Sequence, residues 1–111
     1  MYTIVKLDRE RKAYVGYAAM KVFKATYGKS LFKVDFNKED EDDIVPAFFY
    51  AALKNDDKDL TLERTIELID QYLGIKGSGE LLKKIMKDSG LEVEGANHTE
   101  VSETEDEGKN E

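Results

Sequence analysis

The sequence predicts a mainly α-helical protein, a small bundle of about four helices. Apolar residues recur at helical spacing in separate stretches between residues 17 and 90. Residue types that start or end helices bound these stretches, among them Gly28, Thr61 and Gly90. A short segment of β-branched and aromatic residues at the N-terminus also allows a β-hairpin before the helices.

The first residues favour two short strands. Residues 2–7, Tyr-Thr-Ile-Val-Lys-Leu, have strand composition, and residues 8–11 would form the turn. Residues 12–17 would form the return strand, which Gly16 ends. Because two strands alone are marginally stable, this hairpin is expected to pack on the helices.

Residues 17–27 have the spacing of the first helix. One face carries apolar residues: Met20, Phe23 and Tyr27. Lys21 and Lys24 point elsewhere, and Gly28 stands where a left-handed residue ends a helix. Residues 31–36 form a link to the next helix.

The second helix is expected to be the buried centre of the domain. Acidic residues 40–43 precede the apolar run 44–53, and carboxylates there meet the free N–H groups and positive dipole of a helix start. Pro46 is tolerated in a first turn because those N–H groups have no helical partner. Large apolar side chains surround most of this helix: Phe48, Phe49, Tyr50 and Leu53. Polar residues 55–59 end it.

Two further helices follow. Thr61 is the expected N-cap of the third, whose apolar stripe is Leu62, Ile66, Ile69 and Leu73. Gly74 is expected to end that helix, residues 77–79 to form a flexible link, and Ser78 to cap the last helix. The last helix carries Leu81, Leu82, Ile85 and Met86, and Gly90 closes it.

The sequence divides into a helical domain, residues 1–91, and a disordered acidic tail, residues 92–111. The tail contains eight acidic residues, one lysine and few apolar residues, so it cannot bury enough surface to offset its chain entropy. It also contains His98, the only histidine.

Charge is segregated within the first 91 residues. Residues 1–34 have a net charge of +6, residues 35–70 of −8, and residues 71–91 of +2. Segregation of this kind favours contact between copies or with an oppositely charged partner, although charge runs are also typical of solvated faces. The candidate protein-interaction residues are Lys21, Lys24, Asp42 and Asp43, together with Leu82 and Met86 of the last helix. For these two apolar residues, core packing is the competing and favoured interpretation.

No residue pattern indicates an enzyme, a cofactor or a metal site. The chain has no cysteine, and its histidine has no partner to orient it, so nucleophilic catalysis is not indicated. Asn55, Asp57 and Asp59 match the first ligand positions of a calcium loop. Leu60 and Ile66 stand where that loop needs glycine and glutamate, so a helix-to-helix loop is favoured.

Membrane association is not expected, since no stretch approaches the roughly 20 apolar residues of a membrane span. The N-terminus lacks the basic start and apolar run of a signal peptide, so the chain is expected in the cytoplasm. Basic residues and tyrosines in residues 1–34 leave a nucleic-acid-associated regulator as the alternative function. The first 91 residues as a whole are not basic, which weighs against it.

The order of motifs resembles the tail assembly chaperones of long-tailed bacteriophages, particularly those of Gram-positive hosts. The motifs are Tyr-Gly-Lys-Ser-Leu at 27–31, Phe-Tyr-Ala-Ala-Leu-Lys at 49–54 and Asp-Leu-Thr-Leu-Glu at 59–63, with an acidic link between the first two. The resemblance covers about residues 12–73, and its motifs consist of packing and capping residues.

The resemblance implies a small helical binding protein without catalytic residues. Members of this family self-associate, coat the tape measure protein to keep it soluble, and recruit tail tube subunits. The chain would therefore work in the host cytoplasm and be missing from the mature virion.

Overall fold

Four α-helices and one β-hairpin make up the part of the chain that the computed structural model describes, residues 1–91. Their order is β1 (Thr3–Lys6), β2 (Glu10–Ala13), α1 (Tyr17–Tyr27), a short 3-10 helix (Leu31–Lys33), α2 (Glu41–Lys54), α3 (Leu62–Tyr72) and α4 (Gly74–Asp88). The predicted fold class is confirmed. The acidic tail predicted at residues 92–111 lies outside the described residues.

Helix α2 forms the centre of the core, as predicted. It packs against α1, α3, α4 and β2. Phe48, Phe49 and Leu53 are at most 1% exposed, and the two phenylalanine rings meet edge to face with centroids 5.9 Å apart. Burial of such large apolar side chains is the main favourable contribution to folding.

The start of α2 differs from the prediction. The helix begins at Glu41, and the side chain of Asp40 makes no capping hydrogen bond. Instead, the backbone carbonyl of Asp40 accepts from the N–H of Ile44 at 2.9 Å. Carboxylates in the first turn therefore act through their charge on the helix dipole. Pro46 lies beyond the first turn. Because proline has no backbone N–H, the carbonyl of Asp42 accepts no helical hydrogen bond from Pro46.

The hairpin is confirmed, but β2 begins earlier than predicted. The strands are antiparallel, with Thr3 opposite Ala13 and Val5 opposite Arg11, and these four residues face inward. The chain turns already at residues 7–9, because Asp8 binds the buried Arg11 side chain and brings residue 11 into the strand.

The outer edge of β2 is bonded to the end of α2. The backbone N–H of Tyr14 donates to the carbonyl of Ala52 at 3.0 Å. The backbone N–H of Lys12 donates to Oδ2 of Asp56 at 3.2 Å. These bonds attach the hairpin to the central helix.

Three predicted helix boundaries are confirmed. Gly28 has a φ of +91°, and its N–H donates to the carbonyl of Lys24, which is the left-handed helix end that glycine favours. Thr61 caps α3 because its Oγ1 accepts from the N–H of Arg64 at 3.1 Å. Gly90, with a φ of +82°, follows the end of α4.

The buried face of α3 is rotated from the predicted stripe. Thr65, Leu68 and Ile69 are buried, whereas Ile66 is 40% exposed. The buried residues and the predicted stripe both have helical spacing. Contact of α3 with α2 and α4 decides which residues are buried. The prediction for Ile66 was wrong.

Helix α4 begins at Gly74, directly after α3, and not at Ser78. The positive φ of Gly74, +73°, turns the chain without a loop. Residues 77–79 are helical, and Ser78 is buried with its hydroxyl donating to the carbonyl of Ile75 at 2.8 Å. The prediction of a flexible link was wrong, because burial of the apolar face of α4 outweighs the low helix propensity of glycine.

Candidate interaction surfaces

The exposed side of α1 forms the first candidate surface, which we term the lysine face: Tyr17, Ala18, Lys21, Lys24 and Ala25. Phe23 and Ala19 turn inward to the core, and this fixes the direction of the lysines. Tyr17 is 83% exposed. Among the described residues, no ion pair involves Lys21 or Lys24. Their charges are therefore available to a partner.

The second candidate surface is a cleft of about 310 Å³ between α2, α3 and α4. We term it the acidic groove. Its apolar residues are Val45, Pro46, Ile66, Ile69 and Ile75, and Glu41, Asp42 and Asp70 line it with carboxylates. Ile75 is 86% exposed, although it belongs to a helix whose other large apolar side chains turn inward or half inward. An apolar cleft edged by one sign of charge fits a partner with apolar and basic groups.

The third candidate surface is the outward side of the hairpin, which we term the hairpin face: Tyr2, Ile4, Lys12 and Tyr14. Tyr2, Ile4 and Tyr14 are 48%, 44% and 41% exposed. The register that pairs Thr3 with Ala13 places Tyr2 opposite Tyr14, and the ammonium of Lys12 lies 5.0 Å from the centroid of the Tyr2 ring. Polar side chains are typical of the solvent side of a two-stranded sheet, so this aromatic surface is suited to binding.

The two apolar candidates from the sequence are not surface residues. Leu82 and Met86 are 5% and 2% exposed, and they form part of the core with Ile85. Their predicted contact with a partner is corrected, because α4 uses this face to pack against α2 and β1. The favoured interpretation of these residues, core packing, is the one that the structure supports.

The two acidic candidates point to different clefts. Asp42 lines the acidic groove, whereas Asp43 lines a separate cleft with Thr26 and Tyr27 at the end of α1. Both carboxylates are exposed. Only Asp42 therefore belongs to the acidic groove.

The link between α1 and α2 is held by one carboxylate. The hydroxyl of Tyr27 donates to Oε1 of Glu39 at 2.6 Å, and the ammonium of Lys29 lies 3.1 Å from the same oxygen. The hydrogen bond to Glu39 raises the pKa of Tyr27 to about 12, and it helps to lower the pKa of Glu39. These contacts fix the approach of the chain to the acidic start of α2.

Part of the charge segregation is cancelled inside the molecule. The guanidinium of Arg11, whose side chain is 5% exposed, lies 2.9 Å from Asp8 and 3.0 Å from Asp57. Arg9 lies 3.6 Å from Asp56. Attraction between the basic and acidic segments thus operates partly within one chain, and fewer charges are left for partners than the sequence predicted.

This ion network predicts sensitivity to acid. The hydrogen bond from Arg11 lowers the pKa of Asp8 from 3.8 to about 2, and it lowers the pKa of Asp57 as well. Because these pKa values are depressed in the folded state, the stabilisation is complete above pH 3.8 and is lost as the pH falls toward 2. We expect the free energy of unfolding, measured by urea titration, to fall over this window, and the D8N variant to show a shallower fall. Equal slopes for the two proteins would contradict the assignment.

Asp57, which the calcium-loop comparison singled out, binds Arg11 instead. Among residues 1–91, no three carboxylate or imidazole groups lie close enough to hold a metal ion. In the same range, no helix combines the length and apolarity needed to cross a membrane.

Sequence reasoning missed two residues of the acidic groove, Ile66 and Ile75. Ile66 belonged to the predicted apolar stripe, and Ile75 stood between the expected helix end at Gly74 and the expected link at residues 77–79. The sequence contained one signal that Ile75 is exposed. Ile75 is flanked by Gly74 and Lys76 and precedes two more glycines, so no neighbouring apolar side chain of its own helix covers it.

Comparisons with known proteins identify no family for this chain. No protein-family model matches the chain, and neither a curated protein nor a solved structure does. The functional interpretation therefore rests on the three surfaces and on the motifs of the sequence.

Proposed function

We propose that this chain is a tail assembly chaperone of a long-tailed bacteriophage or prophage, a binding protein that keeps the tape measure protein soluble. The observation that carries the proposal is the hairpin face. Tyr2, Ile4 and Tyr14 are more than two-fifths exposed there, on a domain whose core is already well filled. A holding chaperone needs such a surface for the apolar side chains that its client exposes before assembly.

The chemistry of the hairpin face suits a client that must later leave. Tyrosine rings provide a large contact area with few rotatable bonds, and their hydroxyl groups remain compatible with water. Lys12 adds a charge at the edge of the surface, and the contact of that charge with a partner weakens as salt rises. A half-exposed surface of this kind binds without the large apolar area of a permanent interface.

The remainder of the proposed role follows from the motif resemblance. Several copies would coat the tape measure protein in the host cytoplasm, bring tail tube subunits to it, and leave before the virion is complete. The chain would act without a cofactor and would not act as an enzyme.

Co-expression with the tape measure protein encoded nearby is the direct test. We expect that protein to become soluble and to co-purify with many copies of this chain. A Y2T/I4T variant should lose most of this effect, because threonine suits a strand but removes the large apolar side chains. The test measures the soluble fraction and the ratio of the two chains after purification.

The matched control is Y72Q. Tyr72 is 44% exposed on α3 and lies outside the hairpin face, so its replacement should leave the client soluble. Circular dichroism of each variant establishes whether it has folded. If the client stays insoluble with the wild-type chain and that chain purifies alone, the proposed function is wrong.

The alternative, a nucleic-acid-associated regulator, draws on the lysine face, where Tyr17 could stack on a base between basic groups. The ion pairs of Arg9, Arg11 and Lys29 with carboxylates weaken this alternative. Tight binding of the wild-type chain to single-stranded DNA, with a steep loss as salt rises, would favour the alternative over the chaperone.

A further inference from the structure

We infer that the acidic groove of one copy receives the lysine face of the next copy, so that copies associate head to tail. This inference deepens the proposed function and rests on it for its biological purpose. It assigns residues to both sides of a contact between copies.

The two surfaces match in polarity. On α1, Lys21 lies near the middle of the exposed side, with Tyr17 and Lys24 toward one flank and the small residues Ala18 and Ala25 toward the other. The alanines allow close approach of the helix to an apolar cleft. The acidic groove offers such a cleft through Val45, Pro46, Ile66 and Ile75.

The two surfaces also match in charge. Asp42 and Asp70 line the acidic groove, and Lys21 and Lys24 lie on the lysine face. Among the described residues, these four groups take part in no ion pair within the chain. They are therefore charges that the internal ion network leaves available to a second copy.

The topology prevents one copy from satisfying its own groove. Helix α1 packs on α2, whereas the acidic groove opens where α2 meets α3 and α4. The lysine face points away from α2, so it cannot fold back into the groove of the same chain. Contacts between two different surfaces on separate sides of a molecule are heterologous, and they produce rings or open chains. Several copies could thus be arranged along an extended client.

Complementary charge reversals in the full chain test the contact. We expect the wild-type chain to associate at low ionic strength and to dissociate at high ionic strength, as measured by sedimentation velocity. The K21E/K24E and D42K/D70K variants should each bind themselves at least about tenfold more weakly, because like charges then face each other. A mixture of the two should associate again, since every contact between unlike variants pairs opposite charges.

The matched control is K83E/K87E. It changes the net charge as much as K21E/K24E, but on exposed lysines of α4 that line neither surface. This control should associate clearly more strongly than K21E/K24E. Any weakening that it shows would be the effect of net charge alone, because neither surface is altered. Circular dichroism verifies that every variant is folded.

Three results would overturn the inference: a wild-type chain that stays monomeric at low ionic strength, reversal variants that still associate, or a mixture that does not. The co-expression test separates this inference from the chaperone function. A monomeric chain that still keeps the tape measure protein soluble would reject the contact between copies and leave the chaperone function in place. A chain that assembles but does not solubilise the client would reject the chaperone function and leave the contact between copies in place.

Discussion

Replacement of Phe49 by alanine is expected to lower the free energy of unfolding by about 3–5 kcal/mol. Phe49 is 0% exposed and contacts Phe48 at the centre of α2, on which α1, α3, α4 and β2 all pack. The substitution would leave a cavity that the surrounding helices can fill only in part. Urea denaturation followed by circular dichroism measures the change. Since small domains are stable by about 5–15 kcal/mol, this single change is a large fraction of the total.

Phe32 provides the matched control for Phe49. It is 63% exposed after the end of α1, so the F32A variant removes the same atoms from solvent-facing surface. Its free energy of unfolding should stay within about 0.5 kcal/mol of the wild type. Similar losses for the two variants would show that α2 is not the centre of the core.

Replacement of Arg11 by methionine is the second large change, with an expected loss of about 2–3 kcal/mol at neutral pH. The side chain of Arg11 is 5% exposed and holds both Asp8 and Asp57, and Asp57 lies 46 residues from Arg11 along the chain. Methionine keeps the apolar stem but leaves two carboxylates without their shared cation. The loss should shrink as the pH falls toward 2, because the protonated carboxyl groups no longer need that cation.

Arg9 provides the comparison for Arg11. Its side chain is 51% exposed, and its distances to Asp56 and Asp57 are 3.6 and 3.7 Å. An exposed ion pair of this kind contributes little, so the R9M variant should change stability by less than about 1 kcal/mol. An R11M variant more stable than the wild type would show that desolvation of the guanidinium outweighs its ion pairs.

The parts of the fold that the sequence predicts correctly depend on local chemistry. Gly28 ends α1 because glycine adopts a positive φ without strain, and Thr61 caps α3 through a hydroxyl close in sequence to its donor. The buried centre of α2 is evident because Phe48, Phe49 and Leu53 leave little polar surface on that helix. Each of these signals lies within a few residues of the structure that it specifies.

The parts that the sequence does not predict depend on contacts between distant segments. The buried face of α3 shares Ile69 with the predicted stripe, and packing decides that Leu68 is buried and Ile66 exposed. Likewise, the pairing of Arg11 with Asp57 follows from the position of the hairpin beside the end of α2. The lysines of the candidate surface were predictable from helical spacing. The acidic groove was not, because it needs side chains from three helices.

The bonds between β2 and the end of α2 have a consequence for aggregation. A strand edge with unpaired N–H groups is a template on which another chain can add a strand, and such addition is difficult to reverse. Along the outer edge of β2, the N–H groups of Lys12 and Tyr14 already donate to Asp56 and Ala52. The hairpin therefore has exposed aromatic side chains on one face, while two N–H groups along its β2 edge are already bonded and do not favour the addition of another strand there. In the proposed chaperone, contacts at the hairpin face would then be made by side chains and would be easier to reverse than an added strand.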